Sequence, residues 1–237
     1  MKLLAVDSTA APASVAIWED GKLYGEFFTH TSLTHSVTLM PMCQALLQNT
    51  MTDIKEIDAF AVAAGPGSFT GVRIGVAAVK GMAQALDKPC IAVSTLEAMA
   101  QNLLGTDCIV CSVMDARCKQ FYNALFQSKG GTLTRLTQDR ALSYTQLAAD
   151  LKAYKERIVL TGDGSEAAYA LLSEEIKNLE LAQPLLRYQR AGGVAMAAQQ
   201  VCKQGGLLTA AQLMPFYLRL PQAERELKKK TEGAKKC

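Results

Sequence analysis

Asp7, Ser8 and Thr9 carry the first residue types in the chain that could take part in chemistry. They close an apolar run that begins at residue 3 and predicts a short strand. A carboxylate beside two hydroxyls at the end of a strand can hold Mg²⁺ or phosphate. The same residue types also form turns after strands, and the spacing alone favours that interpretation.

A second candidate is the glycine-rich stretch of residues 65–75, GPGSFTGVRIG. It lacks the lysine of a P-loop, and it lacks the acidic partner and strand order of a dinucleotide fingerprint. Gly65, Gly67 and Ser68 precede a predicted helix whose first backbone amides could receive a phosphate. Ser68 and Thr70 could equally be helix caps.

The helix that follows has small residues on one face. Gly71, Gly75, Ala78, Met82 and Ala85 recur at helical spacing. Each interior glycine costs about 1 kcal/mol relative to alanine, so another backbone is expected to come close there. That backbone could belong to the protein's own sheet or to another chain, and the spacing does not decide between them.

The first predicted helix has a wider apolar surface than packing on one sheet requires. One stripe contains Ser36, Leu39, Met40, Cys43, Leu46 and Leu47, and a second contains Val37, Met42 and Ala45. We therefore expect one stripe to face the sheet and the other to face a partner.

Metal ligands are scattered along the sequence. Cys108 and Cys111 have zinc-knuckle spacing, but they lie in an apolar predicted strand where residues three apart point to opposite faces. His30 and His35 are five residues apart and do not share a helical face. The protein is therefore expected to purify without stoichiometric zinc or iron.

The elements that position these residues have a repeated order. Strands are predicted at 3–7, 14–19, 22–28, 58–64 and 90–94, with helices at 34–49, at 70–86 and from residue 95. In the second half, strands are predicted at 108–114, 120–127, 132–136, 157–161 and 184–187, with helices at 144–154, 165–177 and 191–204.

This repeat exists as element order and not as sequence identity. It predicts an α/β fold of two stacked subdomains with mixed sheets flanked by helices, over residues 1–105 and 106–208. A C-terminal segment, 209–237, follows.

The composition is compatible with this division. The chain has 237 residues, of which 49% are hydrophobic and 20% are charged, and the sequence contains no long uncharged apolar run. We expect a cytoplasmic protein without membrane contact. The net charge of +3 comes largely from lysines at 228–230 and 235–236. This basic tail is expected to be solvated, although it could touch RNA phosphates.

Several motifs together resemble the TsaB (YeaZ) family over essentially the whole chain. They are LLAVDST at 3–9, His35-Ser36 with Leu39-Met40-Pro41, the glycine stretch 65–75, Met114–Arg117 with Tyr122, TGDG at 161–164, and PFYLR at 215–219.

The resemblance implies the ASKHA (actin-like ATPase) fold, made of two RNase H-like subdomains. It also implies a subunit that works with TsaD and TsaE and forms a homodimer when alone. TsaD transfers threonylcarbamoyl from its adenylate to the tRNA adenosine beside the anticodon. The subunit would have no cofactor of its own, ATP or ADP would bind at the junction of the complex, and tRNA would be met only through the complex.

The resemblance also assigns residue roles. TsaD-type metal binding needs two histidines four residues apart on the first helix, whereas His35 is followed by Leu39, so no catalytic residue is expected. A vestigial nucleotide loop would comprise Asp7, Ser8, Thr9, Gly65, Gly67 and Ser68. The partner interface would comprise Ser36, Leu39, Met40, Cys43, Leu46, Leu47, Gly71, Ile74, Gly75, Ala78 and Met82. The alternative is a stand-alone ASKHA-type hydrolase or kinase, similar to a glycoprotease.

Overall fold

The computed structural model describes residues 1–117 and 120–219, which form two mixed β-sheets with helices around them. The first sheet has the strand order β3-β2-β1-β4-β5. Its strands are β1 (Lys2–Asp7), β2 (Ala13–Glu19), β3 (Lys22–Thr29), β4 (Ala59–Gly65) and β5 (Cys90–Ser94). β1, β2 and β3 are antiparallel, whereas β4 and β5 run parallel to β1.

The second sheet repeats this pattern with the order β11-β10-β6-β7-β8. Its strands are β6 (Cys108–Asp115), β7 (Gln120–Lys129), β8 (Thr132–Arg135), β9 (Arg140–Ser143), β10 (Ile158–Thr161) and β11 (Leu179–Leu181). β6, β7 and β8 are antiparallel, β10 and β11 are parallel to β6, and β9 pairs with β7. The predicted fold class is therefore confirmed.

The helices cover both faces of the sheets. They are α1 (His35–Asn49), α2 (Phe69–Leu86), α3 (Thr95–Gln101), α4 (Tyr144–Leu151), α5 (Ser165–Leu172), α6 (Pro184–Arg187) and α7 (Ala191–Lys203). α1 and α2 share a core with one face of the first sheet, and α4 and α5 do so with the second. α7 packs on the opposite face of the first sheet, and α3 contacts both sheets.

Three features differ from the predicted elements. The expected strand at 184–187 is the short helix α6, because Pro184 occupies its first position, where proline favours helix initiation. The strand in this region is instead β11, which pairs with β10. β9 was not predicted, and the predicted helix 165–177 ends at Leu172.

The position of α7 also bears on the domain division. This helix falls within the predicted unit 106–208, yet its buried residues pack on the first sheet, because its apolar face is complementary to the small residues of β1 and β4. The chain thus crosses back after the second sheet. The division at residues 105 and 208 stays a prediction, and the predicted basic tail lies outside the described residues.

Local sequence explains the bounds of α2, the helix that matters most for the site. The Ser68 hydroxyl accepts a hydrogen bond from the Gly71 amide at 3.3 Å and caps the first turn. The helix ends where Asp87 adopts a left-handed conformation, with φ of 51°. Val72, Val76 and Val79 lie on its buried face and fix that face against the first sheet.

Two further sequence expectations are tested by the structure. Cys108 and Cys111 are buried in different core clusters on the two sides of β6, which confirms that they face apart. Among the helices of residues 1–117 and 120–219, none combines the length and the apolar character needed to cross a bilayer.

Candidate functional site

A cleft lies at the edge where the parallel strands of both sheets end. Val6 of β1 pairs with Val62 of β4, so Asp7 and Gly65 leave the first sheet side by side. In the second sheet Ser112 of β6 pairs with Thr161 of β10, which brings Asp115 and the turn after Thr161 to the corresponding edge. Ligands of α/β proteins commonly bind at such carboxyl edges.

The cleft encloses about 710 Å³. We call the first sheet with its helices the first unit and the second sheet with its helices the second unit. Each unit contributes two turns to the cleft, and the C-terminal segment closes one side. The lining residues are Thr9, Ala10, Ala11, His35, Pro66, Gly67, Ser68, Phe69, Thr70, Met114, Asp115, Ala116, Arg117, Tyr122, Asp163, Phe216, Tyr217, Leu218 and Arg219.

Glycine is required at equivalent positions of the two units. Gly65 has φ of +126°, and a Cβ atom there would collide with the carbonyl oxygen of Phe216. Gly162 has φ of +107°, and a Cβ atom there would collide with the carbonyl oxygen of Val113. Both residues therefore let the chain turn sharply where a parallel strand ends. The first of these turns accounts for the start of the glycine-rich stretch.

Asp7 is buried beneath the cleft. Its Oδ1 accepts hydrogen bonds from the Thr9 amide at 2.9 Å and the Thr9 hydroxyl at 2.7 Å. Its Oδ2 is buried without a hydrogen-bond partner among the described residues. Burial raises the pKa of Asp7 to about 6, and the nearby Asp163 adds to this, although the Thr9 bonds oppose it.

Asp163 is a further carboxyl of the cleft, which Asp115 also lines, and it was not predicted as a site residue. It accepts a hydrogen bond from the Gln189 side-chain amide at 2.7 Å. Burial raises its pKa to about 6, with a further contribution from Asp115. The repeated element order could have indicated it. Asp163 lies in the turn after β10, which is equivalent to the turn after β4 where Pro66 lies, and both turns line the cleft.

The predicted vestigial loop is brought together in space. Thr9, Gly67 and Ser68 line the cleft, and the Ser68 amide donates to the Thr9 carbonyl at 2.7 Å. Asp7, Ser8 and Gly65 are buried just beneath them. Ser68 is confirmed as a helix cap. A nucleotide role for these six residues stays a prediction.

The histidine of the first helix has a structural partner. His35 is half-buried at the cleft, with Nε2 2.7 Å from the carbonyl oxygen of Ala10. Within residues 1–117 and 120–219, no group of three or more His, Cys, Asp or Glu side chains is arranged to hold a metal ion.

The second candidate region is the surface formed by α1 and α2, where the predicted interface needs correction. Leu39, Cys43, Leu46 and Met82 are at most 7% exposed, because they face β1, β2 and β4 in the protein's own core. A partner cannot reach Leu39 and Leu46 without unfolding the protein around them, whereas the largely buried Cys43 and Met82 still contribute to the wall of an apolar groove.

Gly71 and Gly75 need the same correction. A Cβ atom at Gly71 would collide with the carbonyl oxygen of Ser8, and one at Gly75 would lie 2.6 Å from the Ser8 hydroxyl. The Ser8 hydroxyl donates to the Gly71 carbonyl at 2.9 Å. The close backbone approach that the glycines predicted is therefore to the protein's own β1–β2 turn.

A different face of the two helices is open, and we call it the outer face. Its side chains are exposed or half-buried: Ser36, Val37, Met40, Leu47, Ile74, Ala77, Ala78, Gly81 and Ala85. Val37 is 64% exposed and Met40 is 46% exposed. A Cβ atom at Gly81 would meet nothing within 4 Å. Of the predicted interface, Ser36, Met40, Leu47, Ile74 and Ala78 thus remain accessible.

An apolar groove continues this face. It encloses about 830 Å³ and is lined by Met40, Pro41, Cys43, Gln44, Leu47, Gln48, Met51, Thr52, Asp53, Ile54 and Met82. Met51 at its end is 92% exposed. Exposed apolar side chains beside small residues are typical of a surface where helices of another protein pack.

Two units that share the same strand order and enclose such a cleft define a protein of the ASKHA class. The family model for TsaD, tRNA N6-adenosine threonylcarbamoyltransferase, matches residues 29–227. The TsaB proteins of Bacillus subtilis and Escherichia coli are each 30% identical, over 94% and 96% of this chain and 96% and 98% of their own lengths. The chain belongs to the TsaB family, whose members are tRNA threonylcarbamoyladenosine biosynthesis proteins.

A solved structure agrees with this assignment. A Pseudomonas aeruginosa protein described as similar to peptidase YeaZ superposes with a TM-score of 0.77 at 26% identity, over 92% of this chain and 99% of that chain. The predicted resemblance to TsaB and YeaZ is therefore confirmed. The chain takes part in threonylcarbamoyladenosine biosynthesis on tRNA.

Proposed function

We propose that the chain is a non-catalytic subunit that TsaD requires, together with TsaE, to transfer threonylcarbamoyl to the tRNA adenosine beside the anticodon. The observation that carries this proposal is the outer face of α1 and α2. It exposes Val37 and Met40 to solvent beside an apolar groove, although the core of the unit is complete without them.

The small residues of α2 support helix packing at this face. Ala77, Gly81 and Ala85 follow one another at intervals of four and are exposed. A partner helix can approach such a stripe closely, while Met40 and Met51 adapt their flexible side chains to it. The same face would pair two copies of this chain when TsaD is absent.

The position four residues after His35 supports a non-catalytic role. TsaD-type metal binding would need a second histidine there, whereas Leu39 is 1% exposed and packs in the core. A buried aliphatic side chain supplies no ligand atom. We therefore assign the transferase chemistry to TsaD and the support of TsaD to this chain, in the cytoplasm.

We propose that nucleotide binds only at the junction of the complex. We assign ATP or ADP to the boundary between this chain and TsaD, with no cofactor held by this chain alone. The cleft carries two carboxyls of raised pKa, Asp7 and Asp163, which repel phosphate when they are ionised. The tRNA is engaged in the assembled complex.

Reconstitution tests this proposal. TsaD and TsaE with unmodified tRNA, ATP and preformed threonylcarbamoyl-adenylate are expected to modify tRNA only when this chain is added. The isolated chain is expected to turn over neither ATP nor the adenylate. Full activity of TsaD and TsaE without this chain would contradict the proposal.

One observation favours a second candidate, a stand-alone ASKHA-type hydrolase or kinase. The cleft is roomy, and Asp163 lies in its wall with a pKa near the range useful for a general base. Steady turnover of ATP or the adenylate by the isolated chain, lost in Asp163→Asn, would support this alternative.

A further inference from the structure

The arginines of the described residues fall into two groups. Arg135, Arg140, Arg157, Arg187 and Arg190 each form an ion pair with an Asp or Glu. Arg73, Arg117 and Arg219 form none within residues 1–117 and 120–219. These three come from distant parts of the sequence: Arg117 and Arg219 line the cleft, and Arg73 contacts Phe69 and Tyr217, which line it as well.

Contacts connect the three arginines into one row. The Arg73 Nε donates to the Tyr217 hydroxyl at 2.9 Å, and its guanidinium lies 3.8 Å from the centre of the Phe69 ring. Two residues after Tyr217, the Arg219 Nη1 donates to the carbonyl oxygen of Ala116 at 2.9 Å. Arg117, which follows Ala116 in the chain, is exposed. The row therefore spans the mouth from α2 to the turn after β6.

Neighbouring groups add to the positive potential and offer stacking surfaces. The N-terminus of α2, an 18-residue helix, points into the same cleft through Ser68 and Phe69. Phe216 and Tyr217 are 46% and 37% exposed beside the row. Arginines combined with exposed aromatic rings are typical of surfaces that bind the phosphates and bases of nucleic acid.

The interior of the cleft is acidic, in contrast to its basic mouth. Asp115 and Asp163 line its wall, and Asp7 is buried beneath it. A polyanion would therefore pass across the mouth and not enter. A nucleic-acid backbone with many phosphates fits this row of arginines across the mouth better than a single nucleotide does.

We propose that the row of Arg73, Arg219 and Arg117 is an RNA-binding surface that contacts the phosphate backbone of the tRNA in the assembled complex. This inference rests on the proposed function, because the tRNA is the substrate of that complex. It assigns this chain a direct part in holding tRNA, beyond its support of TsaD.

The test uses the complex of this chain with TsaD and TsaE and a fluorescent, unmodified tRNA. Arg73→Gln/Arg117→Gln removes two charges that have no ion-pair partner in the described structure. We expect the Kd for tRNA to rise about tenfold at low salt, and the slope of log affinity against log salt to become shallower by about 1.5 to 2. Arg73→Lys/Arg117→Lys is expected to keep the slope.

Arg157→Gln is the matched control, because Arg157 is exposed, is paired only with Glu180 and lies away from the cleft. It is expected to leave the Kd and the slope unchanged. TsaD binding is measured in parallel for every variant. If the unmodified chain did not bind TsaD, the proposed function itself would be contradicted.

Two results would overturn the RNA surface while leaving the proposed function intact. One is an unchanged salt slope and Kd in the double glutamine variant with normal TsaD binding. The other is weakened binding of ATP by the complex with unchanged tRNA affinity, which would assign the arginines to a nucleotide.

Discussion

The inner and outer faces of α2 carry the same small residues for different reasons. On the inner face Gly71 and Gly75 leave room for the backbone and hydroxyl of Ser8, and a side chain at either position would collide. On the outer face Gly81 has open space around it. Glycine at helical spacing thus predicts close approach, but only the contacts show what approaches.

The largest difference between the faces is expected when the same charge is placed on each. Gly75→Arg buries a guanidinium against Ser8 and Val62, at a cost of several kcal/mol, which is comparable with the total stability of a domain. Gly81→Arg points into solvent and is expected to fold normally. Thermal unfolding followed by circular dichroism checks both variants. Equal melting temperatures of the two variants would contradict the distinction between the inner and outer faces.

A smaller effect is expected at the turn that contacts the inner face. Burial raises the pKa of Asp7 to about 6 in the folded protein, from 3.8 for a solvated aspartate, so folding favours its protonated form. The stability that this provides is present at low pH and is lost as the pH rises through 6. Asp7→Asn keeps Oδ1 for Thr9 and cannot ionise. Its effect on stability is expected to be more favourable by about 1.5 kcal/mol at pH 8 than at pH 5.

Urea titrations at the two pH values measure this difference. Asp150→Asn is a suitable control, because Asp150 is partly exposed and ion-paired with Arg140. Its effect on stability should be small and of the opposite sign at pH 8. A constant effect of Asp7→Asn across this range would show that Asp7 titrates normally.

The smallest effect concerns the open glycine of the outer face. Gly81→Ala adds a methyl group where nothing lies within 4 Å and removes the helix penalty of glycine. The protein, measured at a concentration low enough to keep it monomeric, is expected to gain about 0.5 to 1 kcal/mol, or roughly 1 to 4 °C in Tm. Calorimetry of the monomer checks this. Destabilisation of the monomer would mean that the chain itself covers this residue.

The sequence predicted more of the fold than of the two sites. Gly65, Gly67 and Gly162 mark turns after strands, and the order of elements around them revealed both sheets. The short strand β9 and the helix α6 were missed, because four-residue elements depend on their neighbours more than on their own periodicity. The return of α7 to the first sheet is a long-range contact without a local signal.

The sites were harder to predict because they combine distant residues. Helical spacing placed Leu39, Cys43 and Leu46 on one stripe correctly, but it could not show that this stripe faces the sheet. The row at the cleft mouth joins residues 73, 117 and 219, which become neighbours only through contacts such as that of Arg219 with Ala116. No periodicity connects positions so far apart.

The central claim, that the outer face binds TsaD, is tested most directly by one matched pair of variants. Ala77→Arg places a charge on the outer face, and Ala170→Arg makes the same change at an exposed helical position of the second unit. We expect the first to weaken TsaD binding by about a thousandfold, since the charge would be desolvated without a partner, and the second to change it less than about twofold. Titration calorimetry with TsaD measures both affinities. Equal affinities would contradict this assignment.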